Sequence, residues 1–303
     1  ATAFQKSLAD DARNRTFADR DEVQEYVNER AQQENESPVD DFEGITPAEM
    51  HSILNGTMYD NEWLVTVSDD LPAGAAQSAE IIIIMRFILE YHVDHGGEIR
   101  LTARGNFPRN LCRSYLEKHD RRYRRGDPVP IEPNTRELLA AHETILEMGY
   151  IDESNDKSWI TTEGVAVLSG RQWVRAFKDT LHYVLDEADW VSWLDEALQV
   201  GHFQIVQRSA LFLLYLLKRH PEGTVAEYFD RFVRAFPMFV EPAQGEKRIV
   251  AWLGMNFATL FFEYFCSLFG LVSLTANADD DPIAPDARYK VTGLFRQTFR
   301  WKR

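Results

Sequence analysis

The sequence predicts a mainly α-helical protein with small β ribbons, built as tandem winged-helix units joined by a helical connector. Two observations carry that expectation. Across residues 78–170 an apolar helix, a short alternating strand, a basic helix, a third helix and a two-stranded ribbon follow one another. Across residues 205–303 the order returns. Both copies set a glycine after the third helix, then an apolar pair, a polar loop and an aromatic-led strand: Gly149-Tyr-Ile with Trp159-Ile-Thr-Thr-Glu-Gly164, and Gly270-Leu-Val with Tyr289-Lys-Val-Thr-Gly293. A chain of 303 residues with 45% hydrophobic side chains is long enough for two cores. The expected divisions are an acidic helical segment 1–40, a capped short helix and extended arm 41–77, winged-helix unit 1 at 78–170, a helical connector 171–204 and winged-helix unit 2 at 205–303.

Residues 10–37 are mostly charged or amide, with Val23, Tyr26, Val27 and Ala31 at helical spacing. So thin a stripe does not hold a helix alone, so this one either docks on the body or on a partner or is partly disordered. At 42–51, Thr46 caps a helix, Pro47 suits its first position and Glu49 closes a capping box. Residues 63–67 are β-branched and bounded by Asn61 and Asp69-Asp70, so they form a brief strand or arm. The helix at 78–95 carries Ile81, Ile82, Ile83, Ile84, Phe87, Ile88 and Val93 and is apolar on most faces, the core of the first unit. Gly96-Gly97 stop it, with His92 and His95 in a last turn that favours positive charge. Residues 98–102 alternate as a strand, Gly105-Asn106 turn the chain, and Pro108 opens a helix at 109–118 with Leu111, Tyr115 and Cys112 inward and the arginines outward. The loop 119–133, with four arginines and three prolines, is expected to be exposed. A third helix at 135–148 and a ribbon with Asn155-Asp156 at its tip complete the unit. In the second half the helices fall at 205–220, at 224–236 capped by Thr224, and at 249–269; the connector 171–201 is helical and rich in Trp.

The net charge is −15, unevenly spread. Residues 1–70 hold 5 Lys and Arg against 17 Asp and Glu, whereas 96–127 hold nine Arg and Lys against four acids. Residues 249–276 are apolar with Glu263 as the lone charge, long enough to span a bilayer. A buried helix is the better reading, because Glu263 near mid-bilayer costs about 2.5 to 3.5 kcal/mol and Asn256 adds polarity. Cys112 and Cys266 show neither pairing nor metal spacing, which fits a reducing cytoplasm. The first twenty residues lack an apolar run, so no signal peptide is expected.

The motifs Gly44-Ile-Thr-Pro-Ala-Glu-Met-His51 and Ile99-Arg-Leu-Thr-Ala-Arg-Gly-Asn-Phe-Pro108, in that order and spacing, resemble those of an uncharacterised bacterial protein family, some members known only as plasmid open reading frames. The resemblance covers about residues 40–170 and implies no activity, because the family has no established catalytic residues. The long acidic head and the run 121–125 depart from it.

No catalytic, cofactor or metal signature is expected. His92, Asp94, His95 and Glu98 include metal-ligand residue types but read as a solvated helix end. His182 with Asp186, and Asp189 with Asp195, read as solvent-facing charges. Phosphate loops, dinucleotide fingerprints and nucleophile elbows are absent from the sequence. The basic segment 100–125 supplies the one candidate site, a nucleic-acid surface of Arg109, Arg113, Arg121, Arg122, Arg124 and Arg125. Against it, the third helix pairs Arg136 with Glu137, Glu143 and Glu147, and its counterpart in the second unit is nearly all apolar. The expectation is therefore a non-enzymatic, cytoplasmic protein-interaction scaffold or adaptor whose partner is a protein, a second copy included, with no membrane, cofactor or small-molecule substrate. The alternative is a DNA- or RNA-binding regulator using segment 100–125.

Overall fold

The computed structural model describes residues 15–119, 128–129, 131–132, 135–193, 203–275 and 283–303. The protein is mainly helical with small antiparallel two- and three-stranded sheets. It divides into two compact units, residues 1–55 and 56–303.

In the first unit, α1 (Arg20–Glu36) starts where the Asp19 carboxylate accepts the N–H groups of Asp21 and Glu22 at 2.9 and 3.0 Å. Its thin stripe buries Tyr26, whose ring meets Phe17 and lies under the Arg15 guanidinium. The helix packs on α2 (Pro47–Asn55). That helix opens with the expected capping box: Glu49 accepts from Thr46 N at 2.8 Å and donates its own N–H to the Thr46 hydroxyl at 3.2 Å.

The second unit begins with β1 (Val65–Val67), paired antiparallel with β8 (Phe299–Trp301). A one-turn α3 (Ala73–Gln77) leads into α4 (Glu80–Asp94), which buries Ile81, Ile82, Ile84, Phe87, Ile88 and Leu89. Next come β2 (Glu98–Arg100), α5 (Arg109–His119), α6 (Arg136–Glu147), β3 (Ile151–Ser154) and β4 (Lys157–Ile160), the strands ordered β2-β4-β3. On α5, Leu111, Cys112 and Tyr115 face inward and Arg109 and Arg113 outward, as their spacing requires. Asn155 and Asp156, at φ 48° and 61°, make the two-residue turn of the ribbon. Then α7 (Thr162–Gly170) and α8 (Trp173–Asp186) follow, with a 3₁₀ turn at Trp190–Trp193.

The second half contains α9 (Gln204–Arg208), α10 (Ala210–Arg219), β5 (Glu222–Thr224), α11 (Val225–Ala235), α12 (Lys247–Ala258), β6 (Val272–Thr275), β7 (Arg288–Val291) and α13 (Gly293–Thr298). The strand order is β5-β7-β6, the same plan as the first sheet. Its core is aromatic, with Tyr228 ringed by Phe257, Phe261, Phe262 and Tyr289 and its hydroxyl donating to the Leu213 carbonyl. Two helices differ from expectation. The helix at 205–220 breaks at Ser209, whose hydroxyl donates to the carbonyls of Ile205 and Val206 and so competes with the helical ladder. Past α12 the coil widens into a π-helix, Thr259–Ser267, in which Ser267 Oγ donates to Phe262 O, five residues back, at 2.8 Å. Lys247–Ser267 is long and apolar enough to cross a bilayer, yet half of its most apolar stretch is buried within the protein.

The two halves share a hinge of hydrogen bonds. Gly149 and Gly270 take φ +67° and +66° at the ends of their helices. Thr161 Oγ1 donates to the carbonyls of Gly149 and Tyr150 at 2.7 and 3.2 Å, and Thr292 Oγ1 to those of Gly270 and Leu271 at 2.8 and 3.2 Å. Each threonine then caps the next helix, accepting from Gly164 N and Phe295 N at 3.1 and 3.2 Å. Thr161 thus caps a helix rather than extending the strand.

Candidate interaction surfaces

Three arrangements outside the bare scaffold carry charge, aromatic edges or exposed apolar area. The first is a buried carboxylate–imidazole–carboxylate relay that the sequence reading missed. His142, on the same face of α6 as Leu138 and Ile145, sends Nδ1 to Glu132 at 2.6 Å and Nε2 to Glu153 at 2.7 Å. Its ring stacks on Phe107 with centroids 3.8 Å apart, and the Phe107 N–H donates to the other Glu132 oxygen. Burial pushes the imidazole pKa down, but hydrogen bonds to Glu132 and Glu153 and their charges outweigh it and raise the value to about 9. An imidazolium with both N–H groups on carboxylates fits that state. Glu132 is fully buried although it falls in the loop expected to be exposed, because its charge is matched here.

His92 needs a correction too. It is fully buried rather than a solvated positive end, with Nδ1 donating to Ile88 O at 2.8 Å and Nε2 accepting from Ser158 Oγ at 3.0 Å. Desolvation lowers its pKa, so the ring is neutral. Asp186, expected in solvent, is half-buried and accepts the Met58 N–H at 2.9 Å, while its neighbour His182 stacks on Tyr59. Asp189 is exposed, and Asp195 lies outside the described residues.

The second arrangement is the basic surface. Arg109 and Arg113 are exposed on α5, with Arg100 and Arg104 nearby in sequence on β2 and the following turn, also exposed. None of these four makes an ion pair among the described residues. Arg121, Arg122, Arg124 and Arg125 lie outside the described residues. The third helix of the first half is hemmed in: α6 packs on α4 and also on α8 and the 190–193 turn, leaving Glu137 and Glu147 as its exposed residues.

The third is an apolar groove of about 330 Å³ between α11 and α12, lined chiefly by Val225, Phe229, Val250, Ala251, Met255 and Ile283. Gly254 lets α11 approach, since a Cβ there would stand 3.2 Å from the Phe229 ring. Met255, which lines the groove, is 49% exposed, and Trp252, next to the lining residue Ala251 on α12, is 38% exposed with its ring edge-on to Phe203. Lys247 and Asp230, one of each sign, are its charged lining residues. The sequence signal for this groove was present in the small residues Ala251 and Gly254 set among large apolar ones.

Comparison of the chain with protein families, with curated proteins and with solved structures returns no match.

Proposed function

We propose that residues 78–170 and 205–299 are tandem winged-helix units and that the protein is a non-enzymatic cytoplasmic adaptor. Its α11–α12 groove takes an apolar segment of a protein partner, a second copy of the chain being the first to test. One observation carries this reading: the α12 helix, which in this architecture would face a nucleic-acid groove, instead shows Trp252 and Met255 beside an apolar groove. Exposed aromatic and methionine side chains around a pocket are what protein interfaces use, and a phosphate backbone gains nothing from them. The confinement of α6 between α4 and α8 supports the same conclusion for the first unit.

Size-exclusion chromatography with light scattering at about 0.1 and 0.5 M salt tests it, because an apolar contact survives screening that removes exposed charge pairs. Association that persists at high salt and disappears in Met255→Glu is the expected result. For a partner other than a second copy, a photo-crosslinker attached to Met255→Cys should trap one protein in native extract; both natural cysteines are buried and leave labelling selective. A strict monomer that traps nothing, yet shifts nucleic acid in a salt-dependent way, overturns the reading.

The nucleic-acid alternative draws on Arg109 and Arg113, exposed and without an ion pair among the described residues. It requires that Arg109→Glu with Arg113→Glu abolish a mobility shift and flatten its salt dependence.

A further inference from the structure

We infer that the outer edge of β2 is a docking cleft for an extended acidic peptide of a partner protein, added as a fourth strand to the first sheet. The strand stands at the end of the order β2-β4-β3, so one side of it is unpaired. The parity of the ladder says which groups point there. Ile160 N donates to Gly97 O at 3.0 Å and Leu101 N to Asp156 O at 2.8 Å, with Ile99 opposite Ser158 between them. Gly97, Ile99 and Leu101 therefore face β4, and Glu98 and Arg100 turn their N–H and C=O groups outward. Among the described residues nothing bonds those outward groups.

The edge opens on a cleft of about 460 Å³ rather than on bare solvent. Its far wall is Tyr91 stacked on His95, centroids 4.0 Å apart, with Asn110 Nδ2 donating to the Tyr91 hydroxyl at 2.9 Å and Pro108 alongside. Arg100 lines the cleft and Arg109 adjoins its Pro108–Asn110 wall; Arg104 follows on the same chain segment, and among the described residues none of the three has a carboxylate partner. Glu98, the acid of the cleft, is already held by Lys157 at 2.7 Å.

The occupant follows from the chemistry of the edge. Two donors and two acceptors alternating at about 6.8 Å along a strand match another peptide backbone. A phosphodiester backbone supplies acceptors only and would leave the Glu98 and Arg100 carbonyls unmet. The arginines select carboxylates on that peptide. The second half supplies an internal contrast, because its equivalent edge is half capped: Val291 N donates to Pro221 O and Val225 N to Ala287 O, which turns Glu222 and Thr224 outward, and of those two outward donors the Thr224 N–H is already bound by Glu227 at 2.8 Å.

The test is fluorescence anisotropy of the full chain with a short peptide alternating Glu and Val, against the same peptide N-methylated at alternate residues and a single-stranded oligonucleotide of equal charge. Saturable binding to the first is expected, weakened about tenfold or more both by backbone methylation and by Arg100→Glu with Arg104→Glu. Amide exchange at Glu98 and Arg100 should slow on binding. Equal binding of the methylated peptide, stronger binding of the oligonucleotide, or no binding at about 1 mM peptide each overturns the proposal. Met255→Glu leaves this binding unchanged, so failure here and failure of the groove reading are separable.

Discussion

Where Thr161 holds the carbonyls of Gly149 and Tyr150, Thr292 holds those of Gly270 and Leu271, and each then caps the following helix. The material packed around these matching frames differs. Ile81, Ile82, Ile84, Ile88 and Leu89 fill the first half; Phe229, Phe232, Phe257, Phe261 and Phe262 fill the second. The third helix is enclosed in one and borders an open groove in the other, and the edge strand is free in one and half capped by a capping box in the other. The frame thus rests on a few backbone bonds and a left-handed glycine, while any apolar set of the right volume fills it. Surfaces are then free to diverge.

The largest effect should come from the aromatic core. Phe257→Ala, which removes a ring stacked on Phe232 at 4.6 Å, is expected to cost about 3–5 kcal/mol, against about 1 kcal/mol for Ile84→Val in the first half. Urea denaturation of both variants reads the contrast, and equal losses would erase it.

Among the described residues the relay has no counterpart in the second half, and it makes the first half pH-dependent. His142 titrates near 6.5 when unfolded and at about 9 when folded, so its stabilisation is complete below pH 6.5 and lost as pH rises through 9. The gap is worth roughly 3 kcal/mol. Ring resonances of His142 followed by NMR should move near pH 9; a midpoint below 7 would sink the idea.

The shared hinge predicts a smaller and equal pair of effects. Thr161→Ala and Thr292→Ala should each cost about 1 kcal/mol or slightly more, for a lost cap, and should add in the double variant because the sites share no partner. Thermal unfolding that shows one large and one negligible loss would mean the matching bonds do different work.

The smallest effect on stability belongs to Met255→Glu, about 0.5 kcal/mol, because the side chain is half exposed already. The loss should appear in association alone. A large fall in melting temperature would make Met255 a packing residue and remove the groove argument.

Local chemistry made much of this legible in the sequence. Thr46 with Glu49 declares a capping box, and Gly149 and Gly270 declare helix ends whatever the rest of the chain does. Asn155-Asp156 declares a turn. What stayed hidden depends on distant partners. Glu132 reads as an exposed loop acid until His142 and the Phe107 amide stand beside it. The free or closed state of an edge strand depends on ladder parity, and the confinement of α6 on α8, which lies beyond the ribbon. The basic run 121–125 and Asp195 fall outside the described residues, so the sequence reading of them stands without a structural counterpart.

The pairing of β1 with β8 also sets a clock. Val65 bonds across to Trp301, so 236 residues (301 minus 65) must leave the ribosome before the ribbon closes. At about 5–20 residues per second that takes roughly 10–50 s, during which Leu64 and Val65, wholly buried in the finished unit, lack the strand that covers them. The early part of this unit therefore shows apolar surface during synthesis, and its aggregation should depend on translation speed more than on the stability of the completed fold.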